Sequence, residues 1–471
     1  MPLVVETPFG FSLDMSFWQS LLALPPNELI LALFAIVGWA VLWLIFFYMA
    51  SKLWVEYRQK KYIAKWKWVV LAVDIPAQFV QTPKAVEQIF AHISGALGSA
   101  NIGQKYWLGK KQKWFSFEIV SLEGYIQFLI RTEAEYRDLV EASIYAQYAN
   151  AEITEVEDYV RAIPSLYPNE EYDMHGVEFA LAEADAYPIR TYTDFEQTVN
   201  INKEVVFSDP MAAVLENLTR IGHGENFWFQ IIIEPTSNHW KEKGIELVKK
   251  IVVGKEERHD SVFSKLGGLP QILMKALFEI WAWNFEEEEE KEKEKVAKVS
   301  DLTPGMRGVV ENVEAKISKL GFKSKIRALY TARREKFLPS RCMEGFAGAL
   351  NQFHIVNSNA LVPHSSTKTF YAFKDYRLGL KKTKFMAAYK KRKAKTGANP
   401  YILNIEELAT LWHFPMPFVK TPLVQKASIK RGEPPVDLPM EIQNPFKKKE
   451  VLPPAPPAPV VPPPPEELPY A

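Results

Sequence analysis

The sequence predicts an α+β fold. It reads as a single N-terminal transmembrane helix followed by two ferredoxin-like domains of the βαββαβ type, the second carrying an insertion, and a disordered proline-rich tail. Three observations predict it. Leu29 to Ser51 reads LILALFAIVGWAVLWLIFFYMAS without a charge. Between residues 66 and 160 the apolar period switches between two and 3.6 in the order strand, helix, strand, strand, helix, strand. The last 21 residues contain ten prolines, too many for a packed core.

The apolar stretch comes first. Twenty-three helical residues rise roughly 34 Å, enough for a hydrocarbon layer of about 30 Å. Leu29, Phe34, Trp39, Trp43 and Tyr48 mark this expected span. Residues 1–28 carry Glu6, Asp14 and Glu28 and no Lys or Arg. Lys52, Arg58, Lys60, Lys61, Lys65 and Lys67 follow the span, against Glu56 alone. The positive-inside rule then places the N-terminus outside an inner (cytoplasmic) membrane and the bulk of the chain in the cytoplasm. A lone cysteine, Cys342, excludes an intrachain disulfide and a cysteine-based structural zinc site, as suits a reducing compartment. Met15–Leu24 reads equally as an interfacial amphipathic helix or an unstructured leader.

The first domain, 66–160, opens on a β-branched strand at Val69–Ile75. Thr82-Pro83 starts a helix whose apolar face is Val86, Ile89, Phe90, Ile93 and Leu97. Phe115, Phe117 and Ile119, then Ile126, Phe128 and Ile130, alternate around a Glu123-Gly124 turn, which predicts a hairpin. Tyr136, Leu139, Val140 and Ile144 mark a second helix, and Ala151–Val156 the closing strand.

A second unit, 170–376, repeats the idea. Its expected strands are Val177–Ala182, Phe227–Ile233 and the alternating run at Ile326, Ala328 and Tyr330. Helices are expected after Asp209-Pro210, around Trp240–Ile251, after Thr303-Pro304 and around Met343–Leu350. An insertion at 254–300 interrupts it, with an apolar run, Leu269–Phe285, ahead of five adjacent glutamates. That run reads as a docking loop or as a membrane-surface helix. Residues 377–440 read as basic and irregular, and 441–471 as the tail.

Chemistry is sparse. No GxxxxGK[ST] loop or GxSxG elbow occurs, and the eight histidines show no paired ligand spacing. The sequence assigns no catalytic, cofactor-binding or metal-binding residue and implies no cofactor. Basic and acidic residues nearly cancel, 57 against 56, so no global field favours nucleic acid. A local one exists: Lys381, Lys382, Lys384, Lys390, Lys391, Arg392, Lys393 and Lys395, interleaved with Phe385 and Tyr389. Such a stretch suits DNA phosphates with base stacking, anionic lipid, or simple solvation.

Several segments carry a resemblance. These are Gln81–Phe90, Phe115–Val120, Val140–Tyr148, Glu155–Tyr159 and Asn404–Pro415. Together they resemble an uncharacterised membrane-anchored domain family of candidate-phylum bacteria. Its members often precede ATPases similar to the coupling proteins of conjugation and type IV secretion. The resemblance implies a non-enzymatic scaffold that positions a translocation ATPase on a separate chain. The alternative is a membrane-tethered nucleic-acid-binding protein using 377–395; a hydrolase whose site assembles only in three dimensions is a third reading.

Overall fold

The computed structural model describes residues 4–6, 12–14, 23–76, 81–199, 204–207, 209–253, 302–369 and 372–415. All the described residues lie within one compact unit, 1–427. The insertion at 254–300, the tail, and residues 15–22 of the N-terminal segment lie outside the described residues.

The alternating apolar residues of both expected domains build one shared nine-stranded sheet. Its strands are β1 (Trp68–Asp74), β2 (Phe115–Leu122), β3 (Tyr125–Glu133), β4 (Glu152–Val156), β5 (Tyr172–Leu181), β6 (Glu225–Pro235), β7 (Gly321–Arg333), β8 (Leu361–Ser366) and β9 (Tyr401–Asn404). The order is β8-β5-β7-β6-β2-β3-β1-β4, with β9 paired to one end of β7, and all the pairings are antiparallel. Each half therefore has its first strand between its third and fourth, with its second strand at the inner edge. The two inner edges, β2 and β6, pair from Phe115↔Ile233 to Leu122↔Asn226. The expected domains 66–160 and 170–376 thus share a continuous, pseudo-two-fold sheet. A burial-driven reason is available: Phe227–Ile233 is buried on both faces, so its edge is stable only inside a sheet.

One face carries the main core. Phe115, Phe117 and Ile119 of β2, Phe227, Phe229, Ile231 and Ile233 of β6, and Ile326, Ala328 and Tyr330 of β7 point to it. Onto them pack α2 (Pro83–Ile93), α3 (Arg137–Tyr145), α4 (Met211–Thr219), α7 (Pro339–Leu350) and α9 (Ile405–Leu411). Thr82 precedes α2 in extended backbone with Pro83 in the first turn, as its sequence requires. Glu123 and Gly124 both have positive φ, 53° and 98°, which makes the β2–β3 connection a tight hairpin turn. Helices α5 (Trp240–Val253) and α6 (Pro304–Ser318) pair beside the sheet. Gly244 admits Ile317 and Gly321 admits the Trp240 ring at this contact.

The transmembrane expectation is corrected. Leu29–Ser51 is helical, but it lies within a longer helix, α1 (Pro26–Ile63). Among the described residues no helix is long and apolar enough to cross a membrane. The single-pass inner-membrane location and the outside N-terminus rested on that span and are withdrawn with it. Nothing ends the helix after Ser51. Lys52, Glu56, Arg58, Lys60 and Lys61 are good helix formers, with Glu56 and Lys60 paired at 3.0 Å, so a polar continuation extends the same rod.

The polar end of α1 is fixed to the sheet unit by a π-helical turn at Gln104–Leu108. Trp54 Nε1 donates to the Tyr106 carbonyl at 3.0 Å and Arg58 Nε to the Trp107 carbonyl at 2.6 Å. Gly109, at φ 71°, closes the turn against the Arg58 backbone with no room for a β-carbon. G109A is therefore expected to loosen this junction, costing about 1–2 kcal/mol locally from the left-handed backbone alone. Hydrogen exchange across 101–112 should accelerate while the sheet amides stay protected. Unchanged exchange at 101–112 would show that the close approach does not hold α1.

Candidate functional site

The second face of the sheet holds an unusual row. Registered pairing places Glu118 of β2 opposite Gln230 of β6, Gln230 opposite Arg327 of β7, and Arg327 opposite Glu178 of β5. All four side chains are buried. Charges so far from water cost several kcal/mol each unless they are paired and fully hydrogen-bonded.

The basic stretch supplies the partners. Helix α8 (Lys374–Lys390) crosses this face and packs Met386 and Tyr389 onto Val120, Trp228 and Leu329. The Phe385 ring fills the space above Gly176, which a β-carbon would occupy. The chain then turns through Arg392 at φ 46°, and its guanidinium reaches into the row. Nε and Nη2 donate to the two Glu118 oxygens at 2.9 and 3.0 Å; Nη1 and Nη2 donate to Asp158 at 2.6 and 2.8 Å. Glu118 also accepts from Ser116, Tyr159 and Gln230 at 2.5, 2.7 and 2.9 Å. Arg327 donates to the carbonyls of Lys393 and Thr396 at 2.6 and 2.8 Å, while Lys325 pairs with Glu178.

Burial opposes the Glu118 charge, but adjacent Arg392 and the donated hydrogen bonds prevail and hold the carboxyl at about 2. Burial alone would lower the Arg392 guanidinium; Glu118 and Asp158 reverse this and raise it. Burial, then the Glu118 charge, pushes the Tyr159 and Tyr389 hydroxyls well up, so both remain neutral donors. The ensemble is a clamp whose charged groups are paired with one another, while Gln230 Oε1 is buried without a hydrogen-bond partner among the described residues.

A second buried pair lies on the other side of the sheet. Lys316 of α6 and Glu407 of α9 meet at 3.1 Å without exposure. Glu407 completes a capping box with Asn404, accepting from the Asn404 and Ile189 amides at 2.8 and 2.9 Å. Here burial prevails and raises the Glu407 carboxyl, even with Lys316 alongside.

The eight basic residues singled out in sequence therefore divide. Arg392 and Lys382 are buried, Lys382 being paired with Asp173. Lys390 is half-buried and bonded to the Ile163 carbonyl and the Ser165 hydroxyl. Lys381, Lys384, Lys391, Lys393 and Lys395 face solvent. Along α1, Trp39, Trp43 and Tyr48 are exposed and Leu29 is half-buried, while the Phe34 side chain lies outside the described residues.

Sequence reasoning missed Glu118, Asp158, Glu178 and Arg327. Their alternation with apolar neighbours reads as an ordinary solvent-facing side, and only the register brings them together. No group of metal-ligating residues assembles among the described residues.

With this architecture in place, comparison with known proteins assigns a family. The chain belongs to the family described as domain of unknown function (DUF8128), which matches residues 80–427. That span contains the whole sheet except β1, and both parts of the clamp. None of the curated proteins matches the chain.

Arg392→Met is expected to destabilise the protein by about 3–5 kcal/mol, because it leaves Glu118 and Asp158 buried without their cation. The neighbouring exposed Lys391→Gln should stay within about 0.5 kcal/mol. Denaturant unfolding of both variants checks this, and equal effects would show that the clamp is not what Arg392 provides. The pH dependence follows from Glu118. A carboxyl held at about 2 in the folded chain, against 4.5 ordinarily, contributes stability that is fully present above about pH 4.5. That contribution is lost as pH falls toward about 2, since the unfolded chain takes up the proton first. Acid titration of the melting temperature should show this decline, and Glu118→Gln should flatten it.

Proposed function

We propose that this chain is a non-enzymatic scaffold of a conjugation or type IV secretion-like translocation machine, and that it positions a partner ATPase carried on another chain. The single observation that carries this reading is α1. It is a rod about 57 Å long at the helical rise. Its Trp39, Trp43, Phe46, Phe47 and Tyr48 side chains project from the body, Phe47 at 72% exposure. Exposed apolar surface of this extent marks an interaction site. Its polar end is docked through Trp54 and Arg58, as a positioning arm needs to be. The clamp is a further support: the charged groups at the sheet centre are paired with one another and hold the fold together. The resemblance to domains that precede coupling-type ATPases supplies the identity of the partner.

A photo-crosslinking side chain placed at Phe47 of the full-length chain in cells tests the proposal. The expected result is a covalent adduct with an ATPase, identified by mass spectrometry and absent when the same group is placed at exposed Lys391. Adducts confined to lipid, or no adduct, would overturn the partner-positioning role.

A further inference from the structure

We infer that a cleft at one end of the sheet, remote from the clamp, is a phosphate-binding site. Two connections and a helix start converge there: the α4–β6 loop, the β7–α7 loop and the first turn of α7. They enclose a cleft of about 490 Å³ lined by Arg220, His223, Glu225, Glu335, Lys336 and Arg341.

The construction of the cleft is directional. Glu225 is buried and has its hydrogen bonds filled: Tyr330 donates its hydroxyl at 2.6 Å, Gly222 its amide at 2.9 Å, and Arg341 its guanidinium. The same Arg341 Nη2 donates to the Arg220 carbonyl at 3.3 Å. A buried carboxylate thus holds the guanidinium of Arg341, a cleft-lining side chain that is 45% exposed. Lys336 is held over His223 by donating to its carbonyl at 2.9 Å, and its stem packs on Gly224 at φ 81°. Gly224 lets the loop turn beneath the cations without steric cost. The Arg220 guanidinium lies on the surface and finds no carboxylate partner among the described residues.

Two of the three carboxylates near the cleft are engaged. Glu225 belongs to Arg341, and Glu123 is paired with His223 at 2.8 Å and with the Gly224 amide at 3.1 Å. Glu335 also lines the cleft, as an exposed carboxylate. Two guanidiniums and an ammonium, at least one of them held in place by a buried carboxylate, suit a tetrahedral oxyanion with several acceptor oxygens. The source of the phosphate is either a free phosphate compound or a nucleic-acid backbone.

Isothermal titration of the full-length chain with inorganic pyrophosphate, and separately with a single-stranded 20-nucleotide DNA, tests the inference. Saturable pyrophosphate binding is expected, weakened about tenfold by R220Q and again by K336Q, the usual consequence of losing one charge-assisted contact. A control, K384Q on α8 with K391Q just past its end, should leave the affinity unchanged. DNA binding that falls in the same variants would assign the source to nucleic acid. Pyrophosphate binding without DNA binding would assign it to a free compound. Absence of saturable binding of either probe, or binding that R220Q and K336Q leave intact, would overturn the site. Both variants alter exposed side chains, so a loss of binding is read on a folded protein.

Discussion

The contact between Arg392 and Glu118 is the constraint on which the second face of this protein depends. A nine-stranded sheet presents two large faces, and helices on only one would leave the other in water. Here the second face is charged at its centre, along the row formed by Glu118, Gln230, Arg327 and Glu178. Apolar contact from α8 alone would strand those charges. Arg392 enters the row from the end of α8, and the backbone carbonyls of Lys393 and Thr396 receive Arg327. The clamp therefore holds the C-terminal part of the chain onto strands from both halves of the sheet.

This arrangement also explains why two ferredoxin-like halves behave as one body. Their inner strands β2 and β6 pair along their length, and the clamp crosses the seam between Glu118 on one half and Arg327 and Glu178 on the other. On the opposite face, α9 closes against α2, with Trp412 stacked edge-on to Phe117 and Phe128. The seam is covered from both sides by C-terminal elements that belong to neither half. An apolar replacement of equal shape is often as stable as such a buried ion pair, whereas removing one partner alone is costly.

The surfaces left for partners lie away from the seam. The apolar rod α1 leaves one part of the body, and the cationic cleft between α4, β6 and α7 opens at a sheet end. One supports the scaffold reading through exposed apolar area. The other offers a separate, charge-based contact whose orientation is fixed by a buried carboxylate.

Much of this was legible in the chain. Alternation in Phe115–Ile119 and Ile126–Ile130, the Thr82-Pro83 and Thr303-Pro304 starts, and the Glu123-Gly124 turn determined elements whose signals are local: period, cap and turn chemistry. Composition and the charge-free Leu29–Ser51 stretch determined a helix there. They did not determine where it ends or what surrounds it, because a helix of good formers runs through a polarity change without a break. Tertiary structure alone decided the fate of Lys382, Lys390 and Arg392. The inward face of α8 contains Gly379, Lys382, Met386 and Tyr389, which make no apolar stripe, so periodicity reads it as irregular. Lys382 and Arg392 are buried because Asp173, and Glu118 with Asp158, await them on strands and loops more than 200 positions earlier, and pairing at that distance leaves no local trace.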